Sequence, residues 1–152
     1  MFGFATTTTR KHRVHLITLC AVLLAGSLIA APALARPANL DRSLDRTSDH
    51  GVFRVQLQSA RSPIPLWRVH QWTVHLTDAA GQPVSGAVLV VDGGMPDHHH
   101  GLPTAPRATP GAAAGDYVIS GMKVSMPGWW VLTLAVKGLE GQADTITFNV
   151  VL

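Results

Sequence analysis

From residue 53 onward, apolar and polar side chains alternate with a period of two. Phe53, Val55 and Leu57 alternate with Arg54, Gln56 and Gln58, the mark of a strand with one buried face. Residues 69–77 put His70, Trp72, Val74 and Leu76 on one face, and Val69, Gln71, Thr73, His75 and Thr77 on the other, because successive side chains of a strand point in opposite directions. A turn over residues 78–83 leads into residues 87–91, a short apolar run that reads as a strand buried on both faces. Residues 117–122, 129–136 and 144–151 complete the set, the last two joined through Gly138 and Gly141. Trp130, Leu132, Leu134, Val136, Ile146, Phe148 and Val150 are expected to face inward. Trp129 then falls on the outer face, exposed or covering a site, and Tyr117 is expected as a core or corner tyrosine. With no convincing amphipathic helix, the pattern predicts an all-β, immunoglobulin-like antiparallel β-sandwich of about seven strands.

The chain's beginning does not follow that pattern. Arg10, Lys11 and Arg13 precede an apolar run from Leu16 to Ala30, and Ala33-Leu34-Ala35 follows as a small-x-small site. That order reads as a secretory signal peptide over residues 1–35, cleaved after Ala35. It implies a periplasmic or secreted protein with no stable membrane anchor after cleavage. Residues 36–50 mix Arg and Asp without apolar periodicity and read as a flexible leader that includes His50. The sandwich domain is then 51–152. Three of the 12 basic residues lie in the signal, leaving 9 against 9 acidic residues in the mature chain. A balanced chain offers no electrostatic footprint for nucleic acid. Cys20, the one cysteine, is lost with the signal, so neither a disulfide nor a thiolate metal site is expected.

Between Asp92 and Asp116 lies a long stretch without strand or helix period, rich in Gly, Pro and Ala; long loops of this kind in compact domains are usually functional or disordered. It carries Met95-Pro96-Asp97-His98-His99-His100-Gly101, and Met122 and Met126 follow shortly before Trp129-Trp130. Thioether sulfur and imidazole nitrogen suit copper(I), and imidazole with oxygen suits copper(II), so a Met/His mixture can hold copper through its redox change. In an extended loop His98 and His100 point the same way and His99 the opposite way. This makes His98 and His100 the natural pair, with Met122 and Met126 as weaker third or fourth ligands. Zinc is the competing metal, with Asp97 as the nearby acid. Met122 also reads as core filler. His70 and His75 lie on opposite faces of one strand, so at most one can join any site.

The order of Asp78 to Ala87 (Asp-x-x-Gly-x-Pro-Val-x-Gly-Ala), Met95 to Gly101 (Met-Pro-x-His-x-His-Gly), Gly115 to Tyr117 and Met126 to Trp130 (Met-Pro-Gly-x-Trp) resembles the YtkA-like domains, often grouped with FixH-like proteins. The resemblance covers about residues 65–152. It implies a small exported or membrane-tethered sandwich linked with copper handling and cytochrome oxidase assembly. It also implies Met95, His98, His100 and Met126 as metal ligands, while His99 and Met122 lie outside the shared motif, as additional ligands or bystanders. The expected partner is a copper donor or recipient, such as an oxidase assembly or efflux component.

An enzyme is not expected. Ser85, Ser120 and Ser125 lie in no nucleophile elbow, and the acids sit mostly at turns, so no constellation fills complementary catalytic roles. Two function classes are left: a copper-binding or copper-delivery module, and a metal-free secreted β-sandwich that binds other proteins through its long loop and Trp129.

Overall fold

The computed structural model describes residues 1–3 and 37–152. The expected export signal therefore lies, beyond Gly3, outside the described residues. The sandwich falls within one compact unit, Pro32–Leu152, and among the described residues its core draws on residues from Leu44 to Leu152. The sandwich thus has a core of its own, as a domain does. Among the described residues no helix is long and apolar enough to cross a membrane.

Among the described residues, nine strands build two antiparallel sheets. One has the order β1 (Asp45–Thr47), β2 (Phe53–Ser59), β3 (His70–Asp78), β7 (Asp116–Met122), β6 (Arg107–Pro110). The other has the order β5 (His100–Gly101), β4 (Val88–Met95), β8 (Trp129–Lys137), β9 (Ala143–Val151). The period-two faces meet between them. Phe53, Val55, Leu57, Trp72, Val74, Leu76, Tyr117 and Ile119 of the first sheet bury against Leu132, Leu134, Val136, Ile146 and Phe148 of the second. The Tyr117 hydroxyl donates to Val84 O (2.9 Å) and accepts from the Ala87 N–H (2.9 Å). It thereby ties the β3–β4 crossover to the core and fills the corner role expected of it.

Four expectations change. Residues 45–50 are not a flexible leader, because Asp45–Thr47 form β1, paired with Thr47↔Arg54 and Asp45↔Gln56. What holds β1 is polar: the Arg54 guanidinium donates twice to Asp45 (2.7 and 2.9 Å), and Gln56 adds a bond at 3.2 Å. Cross-strand pairs of this kind leave no hydrophobic period to read. The long loop is also shorter than expected. β4 continues through Gly93 and Gly94 to Met95, and β5 and β6 occupy part of the remainder. Two glycines carry no periodic signal, yet the strand requires at least one of them, since a Cβ at Gly93 would overlap the Val131 carbonyl of β8. The 87–91 run is buried on one face only, with Val88 and Val90 about 60% exposed, because among the described residues no layer lies outside this sheet. Finally, Trp129 is buried as well as Trp130. Its indole N–H donates to Asn149 Oδ1 (2.9 Å), whose amide in turn donates to Asp41 O (2.9 Å), so residues before β1 close over it.

Candidate functional site

The strand order gathers one set of connections at one end of the sandwich. The end of β4, the whole of β5, the start of β8, and the β2–β3 and β7–β8 loops all lie there. Met95 ends β4 and is 1% exposed. Pro96–His98 form a single 3-10 turn, closed by the His99 N–H on Pro96 O (3.3 Å), and His99 takes a left-handed conformation at φ 53. That reversal brings the chain back on itself, so that His100 pairs directly with Met95 across β4–β5.

The extended-loop geometry expected for His98 to His100 is therefore replaced by a turn. The turn nonetheless brings the His98 and His100 rings to 6.0 Å, centroid to centroid. His100 also stands edge-on to Trp130 at 5.6 Å. Its Nδ1 lies 2.9 Å from Gly101 O. A carbonyl only accepts, so Nδ1 carries the proton and Nε2 holds the lone pair, the arrangement by which a ligating imidazole is usually oriented. His99 is exposed and turned out of this group by its backbone.

The β7–β8 loop closes the other side. A Cβ on Gly128 would stand 2.7 Å from the Met95 methyl carbon, so the loop backbone lies directly on that thioether. Gly128 has φ 129 and exchanges two backbone bonds with Leu152 (2.9 and 3.0 Å), which fix the loop to the chain's last residue. Met126, partly buried, offers its carbonyl to the Trp130 indole N–H (3.0 Å). Met122 ends β7 as a buried core residue, paired in register with His70. The structure thus brings the His98 and His100 rings together, sets His100 against Trp130 and in register with Met95, and lays the β7–β8 loop on Met95. It leaves His99 outside, and it puts Met122 in the core. Among the described residues no three His, Cys, Asp or Glu side chains form a metal-holding group; the rings that meet are the two imidazoles of His98 and His100.

The remaining histidines have other work. His70 is buried, with Nδ1 donating to Arg68 O (3.0 Å) and Nε2 accepting the indole N–H of Trp72 (2.8 Å). Both nitrogens are used, and the ring satisfies a polar group inside the core. His75 bonds Asp116 across β3–β7 (2.7 Å) on the outer face. His50, expected in a mobile leader, bonds Asp144 through its Nδ1 (2.9 Å) and its backbone N–H (2.9 Å). Burial pushes the Asp144 carboxyl upward. Hydrogen bonds from Ser48, His50 and the Thr145 N–H outweigh that and hold it well below the usual carboxylate range. Its hydrogen bond and charge raise the His50 imidazole above its ordinary value. Neither pair was legible from local sequence, since the partners lie 41 and 94 residues apart and only strand register joins them.

Comparison with known proteins agrees with this architecture. A DUF4426-family protein from Pseudomonas aeruginosa PAO1 has the same fold with a TM-score of 0.51 at 19% identity, over 67% of this chain and 91% of that one. The ZirS C-terminal domain aligns with a TM-score of 0.37 at 10% identity, over 93% of this chain and 95% of its own. No curated protein matches. The family model described as YtkA-like matches residues 47–135, a span that holds the 95–101 turn, Met122, Met126 and both Trp129 and Trp130. The chain belongs to the YtkA-like family.

Proposed function

We propose that this protein is an exported copper-binding or copper-delivery module that carries its metal at the β4–β5 end of the sandwich. The observation that supports it most is the Met95–His100 pair with the His98 ring alongside. The residue that carries a soft thioether is paired in register with one whose imidazole Nδ1–H is already committed, and a second imidazole stands near enough to share one ion. Such a donor set suits copper(I) better than zinc, for which thioether is a poor ligand. His98 and His100 would bind first, from solvent. Met95 would supply sulfur from below, and Met126 would complete the set from the loop that lies on Met95. Exposed imidazoles on a single turn and a two-residue edge strand favour ligand exchange with a partner over permanent retention. The copper donor or recipient, and the periplasm as compartment, belong to the same proposal.

The test is a double replacement, His98→Ala with His100→Ala, in residues 36–152. Copper binding is expected to fall to background while the thermal unfolding midpoint stays close to that of the parent, because both side chains are exposed. Unchanged copper binding would reject the site. A metal-free interaction module is the second reading. The buried Trp129 gives it no support, but the β2–β3 loop does.

A further inference from the structure

Residues 60–69, between β2 and β3, present an apolar knob. Trp67 is 64% exposed and Val69 63%, with Leu66 exposed beside them. Trp67 also has φ 63, a left-handed backbone that a bulky side chain adopts only where its surroundings impose it. Here the Trp67 N–H donates to Val124 O (2.8 Å), and Leu66 forms a parallel bridge to the same residue. The β7–β8 loop thereby pins the β2–β3 loop so that the indole stands outward. Lys123 Nζ lies 5.8 Å from the centre of that indole, within cation–π range.

The two loops that build the knob carry charge of one sign. Arg61 and Arg68 flank it in sequence and are exposed. No Asp or Glu occurs between Asp49 and Asp78, or between Asp116 and Glu140, so both loops carry cations alone. An exposed tryptophan with aliphatic neighbours and a ring of Lys and Arg is the composition that seats at a membrane–water interface. The indole lies at headgroup depth and the cations meet anionic lipid. Trp and Arg also suit a protein interface, but a rim of cations without an acid matches a uniformly anionic surface better than a protein face of mixed charge. We infer that the loop 60–69, with Lys123, docks this domain on the surface of an anionic phospholipid bilayer. The inference does not depend on copper, although both features lie at the same end of the sandwich.

Residues 36–152 are mixed with vesicles of equimolar phosphatidylcholine and phosphatidylglycerol, and with vesicles of phosphatidylcholine alone, and sedimented. The protein pellets with the anionic vesicles only, and its tryptophan emission shifts to the blue. That shift reports Trp67, because Trp72, Trp129 and Trp130 are already buried. Lys123→Gln weakens the partitioning by about five-fold, the factor equivalent to about 1 kcal/mol for one basic residue near the surface. Trp67→Gly abolishes the partitioning yet leaves the unfolding midpoint equal or higher, since glycine accepts the left-handed backbone. The inference is overturned if the protein stays in the supernatant, if it pellets equally with neutral vesicles, or if Trp67→Gly partitions like the parent.

Discussion

Replacing Gly94 with alanine tests whether the β4–β5 pair positions the site. A Cβ at Gly94 would overlap the His100 carbonyl oxygen and would stand 3.0 Å from Gly101 Cα and 3.2 Å from the His100 carbonyl carbon. The obstacles are backbone, so no rotamer change relieves them. β5 must retreat by about 1 Å to restore ordinary contact, whereas metal–ligand distances hold to within about 0.2 Å. The Met95–His100 register pair on which the proposed site rests would then be displaced. Copper(I) affinity should fall by about ten- to 100-fold, the range seen when the groups that orient a metal ligand are removed. The fold should survive, because β5 has only two residues and lies at the sheet edge; overpacking at such a site costs about 1–3 kcal/mol. Gly101→Ala is the control, since its Cβ would meet only Gly93 O at 3.5 Å. Affinity is measured by competition with a chromophoric copper(I) chelator, and stability by urea unfolding. If Gly94→Ala binds copper as tightly as Gly101→Ala and the parent, the positioning argument is wrong.

Tyr117→Phe removes the partner of two backbone groups, Val84 O and Ala87 N–H. Urea unfolding should record a loss of about 2–6 kcal/mol, at about 1–3 for each group left unpaired. His70→Ala leaves the Trp72 indole N–H buried without an acceptor and should cost about 1–3 kcal/mol. Copper affinity should not change, and a parallel loss of copper binding would place His70 in the site after all. The His50–Asp144 pair sets a pH dependence with two limbs. The Asp144 carboxyl is held low, so its contribution is present above about pH 4 and declines as the pH falls below that. His50 is raised, so its contribution is full below about pH 6.5 and is lost as the pH rises through the folded-state value. Asp144→Asn should flatten both limbs of the thermal midpoint plotted against pH, and an unaltered profile would mean that the pair carries no linkage.

The sandwich was legible because β2, β3, β8 and β9 each bury one face, and a period of two follows directly from that. What escaped the pattern was held by other means. β1 rests on the Asp45–Arg54 and Asp45–Gln56 bonds, and β4 passes through two glycines that have no side chain to alternate. Their place on the outer face of the sheet left Val88 and Val90 exposed although their type suggested burial, and Trp129 is covered by a segment whose composition reads as leader. Met95, His98, His100 and Met126 stood out in sequence, but their arrangement did not. A 3-10 turn and a left-handed His99 bring His98 and His100 together, where an extended loop had been expected to do so. Trp67 gave no local signal, because its exposure comes from the bond to Val124, more than 50 residues away.

The most direct test of the copper proposal is a titration of residues 36–152 with copper(I) under chelator competition, followed by tryptophan emission, with zinc as the control. One equivalent should bind and quench emission, since His100 stands edge-on to Trp130, and Met95→Leu with Met126→Leu should weaken copper(I) binding while leaving any zinc binding unaltered. Binding no tighter than that of a generic histidine cluster, or indifferent to both methionines, would contradict the account.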